Sequence, residues 1–466
     1  MSGISNKITN AKTNAMNRHY ITNTAVAILL GVAITTTVLF TQTGCTSNGK
    51  SNEAFTTDAA GIPNLVERQG KLAEAAEWEK TKLKVTELKE KIAQNPNDVK
   101  PRLQLAMIYM NEARITGNAD YHQGVVKILD DVIAVEPNNF EAHVFKAGTA
   151  MSLHQFKTAE ALAEKAKSIN PDNAYVYGIL VDANVELGRY DEAVAAANKM
   201  QELKPSLEAY ARVSYLREIF GDYDGAIEAM KMAVEAGAAG MESAEWARVA
   251  LGDLYLNTGK LDEARAQYEA ALHFRPNYPA AEIGLAKVEK ANKNYDAAIG
   301  HTENAIRVVS ESFYVAQLGE LYALKGDEKK AQKIRNDVVK LLEQGEEEQE
   351  NAAMKHNSNR ELAFAYLDAG KHDKALEHAL NDLNIRPDNI DANELVAWIN
   401  YEKGDYAAAK THAAKMLRTN TRNANTLYKA SLIYARAGDA AKAAELQQLA
   451  QATSPFIDQR FLLASR

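Results

Sequence analysis

The residues best suited to chemistry in this 466-residue chain are one cysteine and ten histidines. A lone thiol, Cys45, can neither close an internal disulfide nor build the thiolate cluster of a structural zinc site. The histidines stand at 19, 122, 143, 154, 273, 301, 356, 372, 378 and 412, and none form His-Glu-x-x-His. His372 and His378 are six apart, which sets them on opposite sides of a helix end; both read as surface residues. The chain contains no Gly-x-Ser-x-Gly, no Walker-type phosphate loop and no Rossmann glycine pattern. Asp222-Tyr-Asp-Gly225 matches a calcium loop for three residues only and reads as a helix-capping turn. No nucleophile–base pair or ligand set converges, so the expectation is a non-enzyme with no metal and no cofactor. With 54 Lys+Arg against 62 Asp+Glu the net charge is -8, and no basic stripe appears, which argues against a nucleic-acid partner.

Cys45 has a setting of its own. Residues 21–40 read ITNTAVAILLGVAITTTVLF, uncharged from Ala25 to Phe40, after Lys7, Lys12 and Arg18. A basic region, an apolar run and small residues before a cut form a secretory signal. Thr-Gly-Cys at the end of such a run resembles a bacterial lipobox, although Gln42 stands where that family prefers Leu, Val or Ile. The resemblance implies acylation of Cys45, and two or more chains anchor stably where one is marginal. An uncleaved span remains open, since 20 mostly apolar residues can cross a bilayer of ~30 Å; so does plain cleavage and release. All three place the bulk of the chain outside the cytoplasm, in the periplasm of a bacterial cell envelope.

What could position functional residues is a repeat. Prolines at 96, 137, 171, 205, 276, 387 and 455 are separated by multiples of 34 plus small insertions. In the unit from Glu245 to Pro279, Leu251, Gly252 and Tyr255 share one helix face. Gly259 ends that helix, Leu261, Ala264, Tyr268 and Ala271 stripe a second one, and Pro276 stops it. The same offsets recur in Leu180/Gly188/Tyr190/Ala193/Pro205 and Leu362/Ala363/Tyr366/Gly370/Ala375/Pro387. They return in Ala397/Gly404/Tyr406/Ala409 and Tyr434/Gly438/Ala443/Ala450/Pro455. This pattern resembles the tetratricopeptide repeat (TPR). The resemblance implies an all-α, right-handed superhelical α-solenoid of about ten helix pairs.

The expected organisation is a signal or anchor at 1–45, a polar tether at 46–63 and a capping helix at 64–96. Repeats follow at 97–340 and 360–455, split by an acidic insertion or seam at 341–359, with a C-terminal cap at 456–466. Glutamates crowd 343–350, and the reading there lies between an extended solvated helix and a flexible seam.

The repeat resemblance also implies that the first helix of each pair lines a concave wall. On that wall the sequence places Tyr215, Trp246, Phe364, Trp398, Tyr401 and Tyr428 as aromatic anchors for a protein or peptide partner. Asp253 and Arg360 accompany them, as do Asp182, Lys287, Lys290 and Glu320. The functional expectation is a membrane-anchored interaction scaffold of an envelope assembly, secretion or export machine. An adaptor or regulator of an envelope protease or sensor is the alternative.

Overall fold

Two local rules, repeated, build the structure. A proline follows six of the ten second helices, and Asp, Asn or Ser one or two places after a proline opens several of the first helices. Asp98 accepts from Lys100 N at 3.1 Å, Asn139 from Ala142 N at 2.9 Å, and Asn389 from Ala392 N at 2.9 Å. Between the helices of a pair, the chain turns through a left-handed residue, usually glycine.

The computed structural model describes residues 56–461, apart from 59–61, 69, 74–76, 119, 349–353 and 459–460. Helix α1 spans Glu77–Gln94. Ten helix pairs follow, even-numbered helices being first and odd-numbered second in each pair. The first four pairs are α2/α3 (Val99–Thr116, Asp120–Val135), α4/α5 (Phe140–Ser152, Phe156–Ile169), α6/α7 (Ala174–Glu186, Tyr190–Leu203) and α8/α9 (Leu207–Ile219, Tyr223–Ala236). Next come α10/α11 (Glu242–Asn257, Leu261–Phe274), α12/α13 (Pro279–Ala291, Tyr295–Val308) and α14/α15 (Ser312–Lys325, Glu328–Glu348). The last are α16/α17 (Asn359–Asp368, His372–Ile385), α18/α19 (Ile390–Glu402, Tyr406–Met416) and α20/α21 (Ala424–Arg436, Ala440–Thr453). The expected all-α solenoid of ten pairs is what the structure shows. Among the described residues no helix is long and apolar enough to cross a membrane. The anchor reading and Cys45 lie outside the described residues.

Packing between units explains the small residues of the repeat. Tyr268 on α11 is fully buried between α10 and α12. A Cβ at Gly252 would stand 2.5 Å from its ring, and one at Gly284 2.4 Å, so both neighbours must lack one. Ala264 and Ala271 on the same helix are also fully buried and let it approach its pair. First helices of neighbouring pairs also touch one another at seven or more of the nine junctions, for example α10 with α12 and α18 with α20.

Two expected boundaries differ. The helix expected from residue 64 begins only at Glu77, after a four-residue turn at Gly70–Ala73. Residues 62–68 are not helical, and their polar groups are used sideways against the first repeat. Tyr109 donates to Pro63 O at 2.5 Å, Val66 N donates to Tyr121 Oη at 3.0 Å, and Arg68 makes a two-pronged pair with Glu112. The acidic stretch also begins as ordered helix, since α15 runs through Glu348. Glu343 accepts from Tyr366 Oη at 2.5 Å, and Leu342 packs beside the Leu362/Tyr366 core.

Candidate functional site

The faces of the first helices form one wall, and its charges are matched one repeat apart. Arg212 on α8 grips Asp182 on α6 through two bonds, 2.6 and 3.0 Å. Lys287 on α12 donates to Asp253 on α10 at 3.0 Å, Lys290 to Glu320 on α14 at 2.9 Å, and Lys429 on α20 to Glu394 on α18 at 2.8 Å. All four pairs are largely withdrawn from solvent, so each removal would strand a partner rather than lose a weak surface contact. The sequence named Asp182, Asp253, Lys287, Lys290 and Glu320 for this wall without showing that they pair across repeats.

The aromatic residues of the wall are covered. Trp398, Tyr401 and Tyr428 are 7, 7 and 6 % exposed and share one core cluster, correcting the expectation of rings open to solvent. Trp398 and Tyr401 stack at 4.8 Å. Tyr215 is equally buried, while Trp246 and Phe364 are partly buried against neighbouring cores. Asp253 also accepts from Tyr268 Oη at 2.9 Å. Arg360 lies 3.7 Å from Asp391 and 3.9 Å from Glu186. The eight residues thus fall into several places along the wall rather than one cleft.

The cover over Trp398 comes from the chain itself. Beyond α21, Asp458 and Phe461 lie against the wall. Asp458 N donates to Asn425 Oδ1 at 2.9 Å, and the Asp458 carboxylate accepts from Lys290 Nζ at 3.0 Å. Phe461 meets Trp398 edge to face at 5.2 Å, with Lys429 Nζ 4.4 Å over its ring. A cation set against the carboxylate and a ring pocket for the phenyl are the contacts a bound peptide would make.

A second arrangement has no trace in the 34-residue period. The turn inside each of three repeats packs against the loop that precedes the repeat six further on, and the turn of the fifth packs against Pro455, just beyond the last repeat. The second repeat meets residues 354–358, with Asn357 N donating to Leu153 O at 3.0 Å. A Cβ built on Gly188 of the third repeat would lie 2.3 Å from Asp388 C, one on Gly221 2.7 Å from Asn420 O, and one on Gly259 2.7 Å from Pro455 Cδ. Asn389 Nδ2 donates to the carbonyls of Val185 and Glu186 at 3.2 and 3.1 Å, and Ile390 N to Tyr190 Oη at 3.0 Å. At the centre of this seam Arg386 binds Asp382 at 2.6 and 2.8 Å and Glu186 at 2.5 Å, with its own side chain 1 % exposed.

Beside that knot lies a cavity of about 60 Å³, lined by Tyr190, Tyr215, Glu218, Tyr223, Asp391 and Asn423 among others. It has room for a few waters. Glu218 Oε1 accepts from Asn257 Nδ2 at 3.1 Å, and Oε2 is buried with no hydrogen-bond partner among the described residues. Burial pushes the Glu218 carboxyl up from 4.5 to about 7, and the charges of Asp253 and Asp391 add to it. A carboxyl raised on folding favours the folded state below its unfolded value and loses that contribution as pH rises through 4.5 to 7. The loss is about 3 kcal/mol at most. Glu218→Gln should therefore gain on the wild type between pH 4.5 and 8 in urea unfolding. A stability difference that stays constant over that range would mean the carboxyl is solvated.

The model of the tetratricopeptide repeat family matches residues 149–208 and 249–307, which are therefore repeats of that kind. A 102-residue stretch is 33% identical to the Hsp70-Hsp90 organizing protein of Triticum aestivum, covering 21% of this chain and 18% of that one. Among solved structures, a thermophilic TPR protein of Thermus thermophilus aligns with a TM-score of 0.37 and 21% identity, over 41% of this chain and 98% of that one. PilF of Pseudomonas aeruginosa aligns with a TM-score of 0.36 and 14% identity, over 43% of this chain and 91% of that one.

Proposed function

We propose that this protein is a non-enzymatic interaction scaffold, held at a bacterial envelope membrane through Cys45 with its repeats in the periplasm, serving an assembly, secretion or export machine. Its wall takes a partner segment of the same chemistry as residues 455–461: an acidic residue with an aromatic ring three positions on. The observation that carries this reading is the seat of Asp458 on Lys290 and Phe461 on Trp398. Stacked repeats offer extended surfaces suited to such segments, and here the chain occupies its own. Partner binding then means exchange of one segment for another, which accounts for buried rings on a binding wall.

The test uses the full chain and a synthetic peptide, SPFIDQRFLL, copied from residues 454–463. Asp458→Ala with Phe461→Ala should open the wall, and the peptide should bind this variant at least about tenfold more tightly than the wild type. Adding Trp398→Ala should abolish the gain, as truncated aromatic anchors typically cost ~2–4 kcal/mol. A peptide that binds neither form sinks the exchange reading. The anchor is checked separately, since Cys45→Ser should move the protein from the membrane pellet to the soluble fraction. A variant that stays in the pellet and retains residues 1–44 would instead indicate a transmembrane span.

A further inference from the structure

We propose that His154, His356 and Glu361 form a zinc site that ties the second repeat to the eighth. The three residues come from segments about 200 positions apart. His154 stands in the turn between α4 and α5, His356 in the loop before α16, and Glu361 in the first turn of α16. One ligand atom from each lies within 4.8 Å of the others. His154 Nδ1 is 3.3 Å from Glu361 Oε1, and the two imidazole rings are 4.7 Å apart. With Zn–N and Zn–O bonds of about 2.0–2.2 Å, the edge of a tetrahedron is roughly 3.4 Å. One edge is therefore already at length, and the longest needs a contraction of just over an ångström.

Glu361 supplies the strongest pointer. Its side chain is fully buried, yet neither carboxylate oxygen has a hydrogen-bond partner among the described residues. A carboxylate in that state costs several kcal/mol unless a cation compensates it. The nearby Arg360 is directed to Glu186 and Asp391. An imidazole binds zinc through the lone pair of a ring nitrogen, and both rings bring a nitrogen within reach of the carboxylate. The donor set of two imidazoles and one carboxylate suits zinc, and a water would complete the tetrahedron.

The surroundings are built to hold these ligands in place. His356 Nδ1 is 3.2 Å from Ser358 Oγ, the kind of outer hydrogen bond that orients an imidazole ligating through its other nitrogen. Gln155 Nε2 donates to Lys355 O and Gln123 Nε2 to Met354 O, both at 2.8 Å, pinning the loop to the second and first repeats. His154 has φ 55°, in the slot that most other repeats fill with glycine. A bulky side chain there is costly and is kept where the surroundings require it. Its ligands come from the second and eighth repeats and not from the covering segment, so its test is separate from that of the partner reading. Because its ligands come from two distant repeats, its role is a cross-link between them.

The full chain, stripped with a chelator and dialysed, is titrated calorimetrically with zinc chloride. One zinc per chain is expected. Glu361→Gln and His356→Ala should each weaken it by more than the roughly 10–100-fold that loss of an outer-sphere partner costs. Should either variant fail to fold, hydrogen exchange on the wild type decides instead. Zinc should then raise protection at 153–156 and 354–361 above the chelated protein. Absence of stoichiometric zinc, unchanged affinity in both variants, or protection confined to other segments would each overturn the site.

Discussion

Arg386→Met is expected to destabilise the protein by about 3–5 kcal/mol, the cost of stranding buried carboxylates. The guanidinium is 1 % exposed and binds Asp382, itself 3 % exposed, and Glu186 at 16 %. Burial alone would raise the Asp382 carboxyl, yet the guanidinium beside it holds the group below its ordinary value. Removing Arg386 reverses that balance, and Asp382 should take up a proton on folding. Arg386→Lys should restore only part of the loss, because one ammonium cannot match two oxygens of Asp382 and still reach Glu186. Urea unfolding of the three proteins reads the series. Replacing Asp382 and Glu186 by Leu and Gln together with Arg386→Met should recover much of the stability, since an apolar replacement of a buried cluster is often neutral. A loss under 1 kcal/mol for Arg386→Met alone would mean water reaches the seam.

Gly188→Ala should cost about 3 kcal/mol or more, and Gly404→Ala only about 1–2. Both glycines turn a repeat with positive φ, 77° and 81°. The left-handed penalty is therefore common to both. What differs is the surroundings: a methyl at 188 would enter the backbone of Asp388, whereas nothing lies within 4 Å of one at 404. The excess measures the seam itself. Hydrogen exchange in Gly188→Ala should rise around 385–392 as well as at the mutated turn. Equal losses for the two variants would show that the seam contributes no stability.

Sequence and structure agree wherever contacts are local. The period, the helix pairs, the Ala and Gly crossings and the capping residues all follow from residues fewer than about 40 positions apart. Tyr268 in the stripe with Leu261, Ala264 and Ala271 was legible from spacing, and the structure adds that its ring sits between Gly252 and Gly284. The burial of Trp398 was not, because it depends on Phe461, 63 positions away, turning inward. Nor was the contact of Gly188 with Asp388, since a 34-residue pattern specifies neighbours and leaves the rotation per repeat open. Small rotations multiplied by six decide which loop meets which turn. His154 and His356 were found as isolated histidines for the same reason, their partners lying on the far side of that count. The only visible hint was a histidine in a glycine slot.

The six-repeat correspondence also limits how such a chain can change over time. A solenoid held only by neighbouring contacts can duplicate or delete a unit and keep every interface. Here, one extra unit between the fifth and eighth repeats would set the turns at His154, Gly188, Gly221 and Gly259 against the wrong loops together. Four matched surfaces would be lost by a single in-frame event. Copy number within that interval is thus constrained as a count, whereas a gain or loss between the second and fifth repeats would shift only some of the four pairings.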